Sequence, residues 1–104
     1  MSDGEYVHDQ AARIRCLRDY LGLSVNEMAA ALSVSPRAYQ NFESGRFAIP
    51  AGVMTDMAGL VDRMDELAGT FSEQEWLHIE GMSSFEMRAA GIAAAARPEL
   101  QILP

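Results

Sequence analysis

The sequence predicts an all-α chain of five or six helices, on three observations. Helix-start signals recur along it: Ser24 with Glu27, Ser35 before Pro36, and Ser83 with Glu86. Between them apolar residues return at i, i+3, i+4 and i+7, the period of a helix face rather than of a strand. The 104 residues are 49% hydrophobic, enough for the core of a single small domain.

The elements follow in order. A first helix is expected from about Asp9 to Tyr20, with Ile14, Leu17 and Leu21 on one face. Ser24 and Glu27 fit the S-x-x-E capping box, so a second helix starts at Val25, with Val25, Met28, Ala29 and Leu32 as its stripe. Ser33 and Val34 break it. Ser35 is a good N-cap for a third helix, and Pro36 suits its first position, where a missing N–H costs nothing. Val34 can staple onto Tyr39 at the entry, and Gly45 ends the element as a glycine just past the cap would. RFAIPA (46 to 51) then turns into a longer helix, about Ala51 to Ala68, striped by Val53, Met57, Leu60, Val61, Met64 and Leu67 and stopped by Gly69. Ser72 with Glu75 and a Phe71–Trp76 staple predict a helix near 73 to 80. Ser83 with Glu86 and a Met82–Met87 staple predict another near 84 to 96. Pro98 ends regular structure, and ELQIL forms a short extended segment. There are no repeats, low-complexity stretches or long linkers.

The third helix carries the chemistry. Ala38, Tyr39 and Phe42 are spaced to face inward, leaving Arg37, Gln40, Asn41 and Ser44 outside. Their groups can donate to or accept from base edges in a major groove, although exposed Arg, Gln and Asn are in most proteins simply solvated.

Taken with its surroundings, IRCLRDYLGLSVNEMAAALSVSPRAYQNFESGRFAIP resembles the lambda-repressor/Cro-like helix-turn-helix family, often called the Xre family. The resemblance covers roughly Ala12 to Leu67 and rests on Leu17, Arg18, Gly22, Leu23, Ser24, Glu27, Met28, Ala29, Leu32, Val34, Ser35, Glu43, Gly45, Ile49 and Pro50. It implies a lambda-repressor-like helix-turn-helix domain with added C-terminal helices. By the resemblance, Arg18 and Glu43 form a partly buried structural ion pair between the first and third helices. Pro36, Arg37, Gln40 and Asn41 fall on base-reading positions, and Ser35, Ser44 and Arg46 on positions that touch phosphate. Two departures weaken the phosphate grip. Val25 stands where the family commonly has Gln, and Ser33 where the turn is usually Gly. Pro36 also removes a donor at the tip of the helix.

The net charge of −7 argues the other way, since DNA binders usually carry a basic footprint. Its distribution softens the objection. Up to Ala51 five Arg face six acids, a balance of −1; from Gly52 onward three Arg face nine, a balance of −6. The acidity belongs mainly to the C-terminal half.

Past Leu67 the family pattern runs out. Phe71, Trp76, Leu77, Ile79, Phe85, Ile92 and an Ala-rich face read as an added helical pair, either completing the core or forming a homodimer surface. Leu100, Ile102 and Leu103 alternate as a strand docking on a partner's edge would. Seven Met serve as core filler.

Catalysis is not expected. His78-Ile-Glu80 has the H-x-E spacing of zinc deaminases without the P-C-x-x-C half, and two His with one Cys are too few for a zinc site. The acidic face of Asp62, Asp65 and Glu66 reads as solvated. The lone Cys16 suits a reducing cytoplasm and a place at the core edge, and the acidic Met1 to Gln10 is unlike a signal peptide.

The expectation is therefore one domain over 1–104, with a helix-turn-helix core at about 9–68 and a C-terminal extension at about 70–104 that serves dimerisation. It is a cytoplasmic, non-enzymatic DNA-binding regulator, a repressor of a palindromic operator acting as a homodimer on double-stranded DNA. No catalytic residue, metal, cofactor or membrane is involved. The alternative is a protein-interaction module on the same scaffold, an antitoxin partnered by a toxin or an acidic adaptor.

Overall fold

A computed structural model describes the backbone of residues 3–104 and the side chains of residues 9–104; the side chains of the acidic opening lie outside the described residues. The elements are α1 (Asp3–Leu21), α2 (Val25–Ala31), α3 (Pro36–Glu43), α4 (Ala51–Ser72), β1 (Trp76–His78), α5 (Ser84–Ala96) and β2 (Gln101–Leu103). Among the described residues the fold is all-α with five helices, to which a two-stranded ribbon is added. Packing divides the chain into two units, residues 1–59 and 60–104, and α4 contributes to both.

In the first unit the three opening helices end in the same way. Each closes with a residue in the left-handed region whose flanking amides bond back to the last turn. After α1 this is Gly22 (φ 69°), with Leu23 N–H on Arg18 O at 3.3 Å. After α3 it is Gly45 (φ 76°), with Arg46 N–H on Asn41 O at 3.0 Å and Gly45 N–H on Phe42 O at 3.2 Å. After α2 it is Ser33 (φ 58°), with Val34 N–H on Ala29 O at 3.0 Å. The turn does demand the left-handed conformation, and serine meets it at a steric cost glycine would not have.

The starts are capped as the sequence predicts. Ser24 Oγ accepts from Glu27 N–H at 3.1 Å while Glu27 Oε1 accepts from Ser24 N–H at 2.9 Å. α1 begins at Asp3 rather than near Asp9, since no proline intervenes to stop it. The core holds Ala11, Ile14, Leu21, Leu23, Met28, Ala29, Leu32, Tyr39, Phe42, Val53 and Met57. Each large side chain there contributes roughly 1.5–3 kcal/mol by leaving water. Cys16 is exposed on α1 rather than at the core edge.

In the second unit three expectations fail. Gly69 does not stop α4, which runs on to Ser72. A helical glycine costs only about 1 kcal/mol against alanine, and Phe71 beyond it packs on the core cluster of Leu77, Ala90, Ala93 and Leu100. Ser72 is no N-cap, because its hydroxyl donates to Gly69 O at 2.8 Å inside that last turn. No helix forms near 73–80. Trp76, Leu77 and His78 instead make β1, parallel to β2 with Trp76 opposite Gln101 and His78 opposite Leu103. Trp76 and the β-branched Ile79 just past the strand favour an extended chain once a pairing strand is in reach, and Ile79 N–H bonds to Leu103 O at 3.0 Å. The Glu99–Leu103 stretch thus meets its own chain's β1, and the added element is one helix with a ribbon rather than a helical pair.

α5 is the link that parallel strands require. Ser83 and Glu86 cap it reciprocally, with Ser83 Oγ accepting from Glu86 N–H at 3.1 Å and Glu86 Oε1 accepting from Ser83 N–H at 3.0 Å. Arg97, to which the sequence reading gave no role, donates from Nη1 to Ser72 O at 2.6 Å and Gln74 O at 2.5 Å. It places a cation on the orphan carbonyls at the end of α4, where the helix dipole favours one. Among the described residues no helix is long and apolar enough to cross a membrane.

Candidate nucleic-acid interface

α3 is short, eight residues, and its two sides differ sharply. Tyr39 and Phe42 are buried and Ala38 half-buried, while Pro36, Arg37 and Gln40 are exposed and Asn41 is half-buried. The helix is therefore fixed by its inner side and presents a polar row on the outer one. Ser35, Ser44 and Arg46 are exposed at its two ends.

Local bonding sets what each group can offer. Ser35 Oγ accepts from Ala38 N–H at 3.1 Å, which leaves its hydroxyl proton to give elsewhere. Pro36 brings no amide, and Ala38 has spent its own on Ser35. Two of the first three amides of α3 are thus withheld from an incoming phosphate. At the other end Ser44 donates its hydroxyl proton to Asn41 O at 3.2 Å, so it must turn away from that carbonyl to donate outward. Arg46 N–H bonds to the same carbonyl at 3.0 Å and Phe47 N–H at 3.3 Å. The loop after α3 is folded back onto the turn that carries Asn41.

Beneath the polar row lies a charged anchor. Arg18 Nε donates to Glu43 Oε2 at 2.6 Å and Arg18 Nη2 to Glu43 Oε1 at 3.1 Å, a bidentate pair tying α1 to α3. Arg18 Nη1 also donates to Leu23 O at 3.2 Å. The side chains are only 17% and 13% exposed. Burial alone would push the Glu43 carboxyl up, but the hydrogen bonds and charge of Arg18 outweigh it and hold the group below the ordinary carboxylate value. Bonding to Glu43 raises Arg18 in turn. The Tyr39 hydroxyl is buried next to the pair without meeting hydrogen-bond geometry, and burial, then Glu43, pushes it far above the usual phenol value. The sequence gives its clue to this third member only as a tyrosine inside an apolar stripe.

A family model described as a helix-turn-helix domain matches residues 11–78. The chain belongs to the helix-turn-helix domain family. No curated protein shows a significant match to it.

In this helix-turn-helix domain, α2 and α3 with the Ser33 turn are the motif, and the family is one of DNA-binding domains. Charge along the motif suits that role better than the total does. Between Glu27 and Asp56 the sequence has one acid, Glu43, and Arg18 neutralises it. Arg37 and Arg46 stand exposed in the same interval. Two features identified in the structure lay outside the sequence reading of this helix-turn-helix domain. The commitment of the Ser44 hydroxyl depends on backbone geometry. Phe47, 54% exposed between Arg46 and Pro50, is visible in sequence only as an aromatic outside both helical stripes.

Proposed function

We propose that the chain is a sequence-specific transcriptional regulator, a cytoplasmic repressor that binds a palindromic operator as a homodimer. The observation that carries this is the two-sided α3, anchored through Tyr39, Phe42 and the Arg18–Glu43 pair, with Arg37 and Gln40 free on the other side. In the major groove Arg37 reads guanine O6/N7, and Gln40 or Asn41 reads adenine N6/N7, with Pro36 at the leading tip. Ser35, Ser44 and Arg46 take backbone phosphates. Two copies about one helical turn apart set the palindrome, and repression follows by occlusion of the promoter. The C-terminal extension, about residues 70–104, supplies the dimer face in this reading.

The test is an anisotropy titration against short duplexes, beginning with the gene's own upstream region, at low and at physiological salt. A palindrome selected in the presence of competitor DNA establishes the operator. Binding that is absent, or lost without preference as salt rises, removes the reading. The net charge of −7 favours a second reading, a helix-turn-helix scaffold turned to protein partners such as a toxin. A dimer that ignores all DNA and co-purifies with a second protein would establish it.

A further inference from the structure

We propose that Phe47 is a further DNA-contact residue, packing on the deoxyribose edge beside the phosphate taken by Arg46 and adding an apolar, salt-independent part to binding. The proposal rests on the DNA-binding reading above and assigns that interface a residue of a different chemistry. Phe47 is 54% exposed, above Tyr20, Trp76, Met87 and Ile102, the other exposed large hydrophobic side chains among the described residues. It does not sit on a loose loop. Phe47 N–H, Arg46 N–H and Ser44 Oγ–H converge on the one carbonyl of Asn41, at 3.3, 3.0 and 3.2 Å. The backbone of residue 47 is fixed to the turn that carries Asn41 and moves with α3, so an α3 seated in a groove carries this exposed ring to the same duplex.

The surroundings favour a polyanion. No acid occurs between Glu43 and Asp56, Glu43 is neutralised by Arg18, and exposed Arg46 is the immediate neighbour. The chemistry also answers a shortage. A chain of charge −7, with only Arg37 and Arg46 between Arg18 and Arg63, draws little from counterion release, and a helix that offers few amides makes few neutral bonds to phosphate. The sugar edge of DNA is apolar, and a ring laid on it gains free energy that added salt does not remove.

The test compares Phe47→Ala, Phe47→Trp and Arg46→Ala with the wild type on the selected duplex across a salt series. Phe47→Ala should weaken binding about tenfold at every salt, with the slope of log Kd against log salt unchanged. Arg46→Ala should flatten that slope by about one phosphate's worth. Phe47→Trp should keep the affinity and change its indole emission on adding DNA, beyond any change from Trp76 in the wild type. Wild-type affinity in Phe47→Ala, or a slope that falls as in Arg46→Ala, overturns the proposal while leaving the DNA-binding reading intact. An unchanged emission in Phe47→Trp also overturns it, even if the alanine variant folds poorly. A wild type that binds no duplex overturns both.

Discussion

Arg18 grips Glu43 with two parallel hydrogen bonds, Nε to Oε2 at 2.6 Å and Nη2 to Oε1 at 3.1 Å, across 25 residues of sequence. The pair joins α1 to the last residue of α3 and so fixes the roll of the candidate recognition helix about its axis. Truncating Arg18 to alanine strands a mostly buried carboxylate. It should cost about 2–3 kcal/mol and lower Tm by roughly 10 °C or more, read by thermal melting. Arg18→Met with Glu43→Leu should recover most of that loss, because an apolar pair leaves no charge unmatched. An unchanged melt in Arg18→Ala would show that the pair contributes nothing.

Acid should undo the same bond. Glu43 has a folded-state pKa lowered from the ordinary 4.5. The folded state therefore favours the ionised carboxyl, and the contribution is fully present above that ordinary value. It is lost as pH falls through the lower folded-state value. Melts of wild type and Glu43→Gln should differ most at pH values above 4.5 and converge in stronger acid. A gap that persists unchanged at low pH would contradict the assignment.

Ser33 offers a gain. It holds φ 58° in the turn between α2 and α3, where Gly22 and Gly45 fill the corresponding places after α1 and α3. Ser33→Gly should raise stability by about 0.5–1 kcal/mol, the relief of left-handed strain less the entropy glycine adds to the unfolded chain. Denaturant titration reads this as a higher midpoint at constant slope. A lower midpoint would mean that the serine is at ease in that conformation.

The two kinds of DNA contact should separate. Arg37→Ala or Asn41→Ala should cost about 1–3 kcal/mol on the selected duplex and relax the preference at one base pair. Arg46→Ala should weaken selected and random duplexes alike. Competition titrations with single-base variants distinguish the patterns. Equal loss on random DNA for Arg37→Ala would take it off the base edges.

How much of this the sequence carried depends on the range of the interaction. Ser24–Glu27, Ser35–Ala38 and Ser83–Glu86 close within three residues, so residue identity alone announces them, and α2, α3 and α5 begin where expected. Ser72–Glu75 has the same pattern and fails, because the Ser72 hydroxyl is engaged by Gly69 O, and Arg97 caps the carbonyls that follow. Trp76 to His78 became a strand because of Gln101 to Leu103, a partner that no local window contains. At the candidate interface the residue types were legible, and the hydrogen bonds that spend the Ser44 proton and tether Phe47 were not.

The parallel ribbon has a consequence for how the molecule folds. Pairing β1 with β2 closes a crossover of 25 residues, from Trp76 to Gln101, and that entropy is lost before any rung of the ladder is gained. The Arg18–Glu43 bridge also spans 25 residues, so the first unit carries a closure of equal length. Trp76 lies on the ribbon itself, so its indole fluorescence reads the closure of residues 60–104 separately from that of the helix-turn-helix motif.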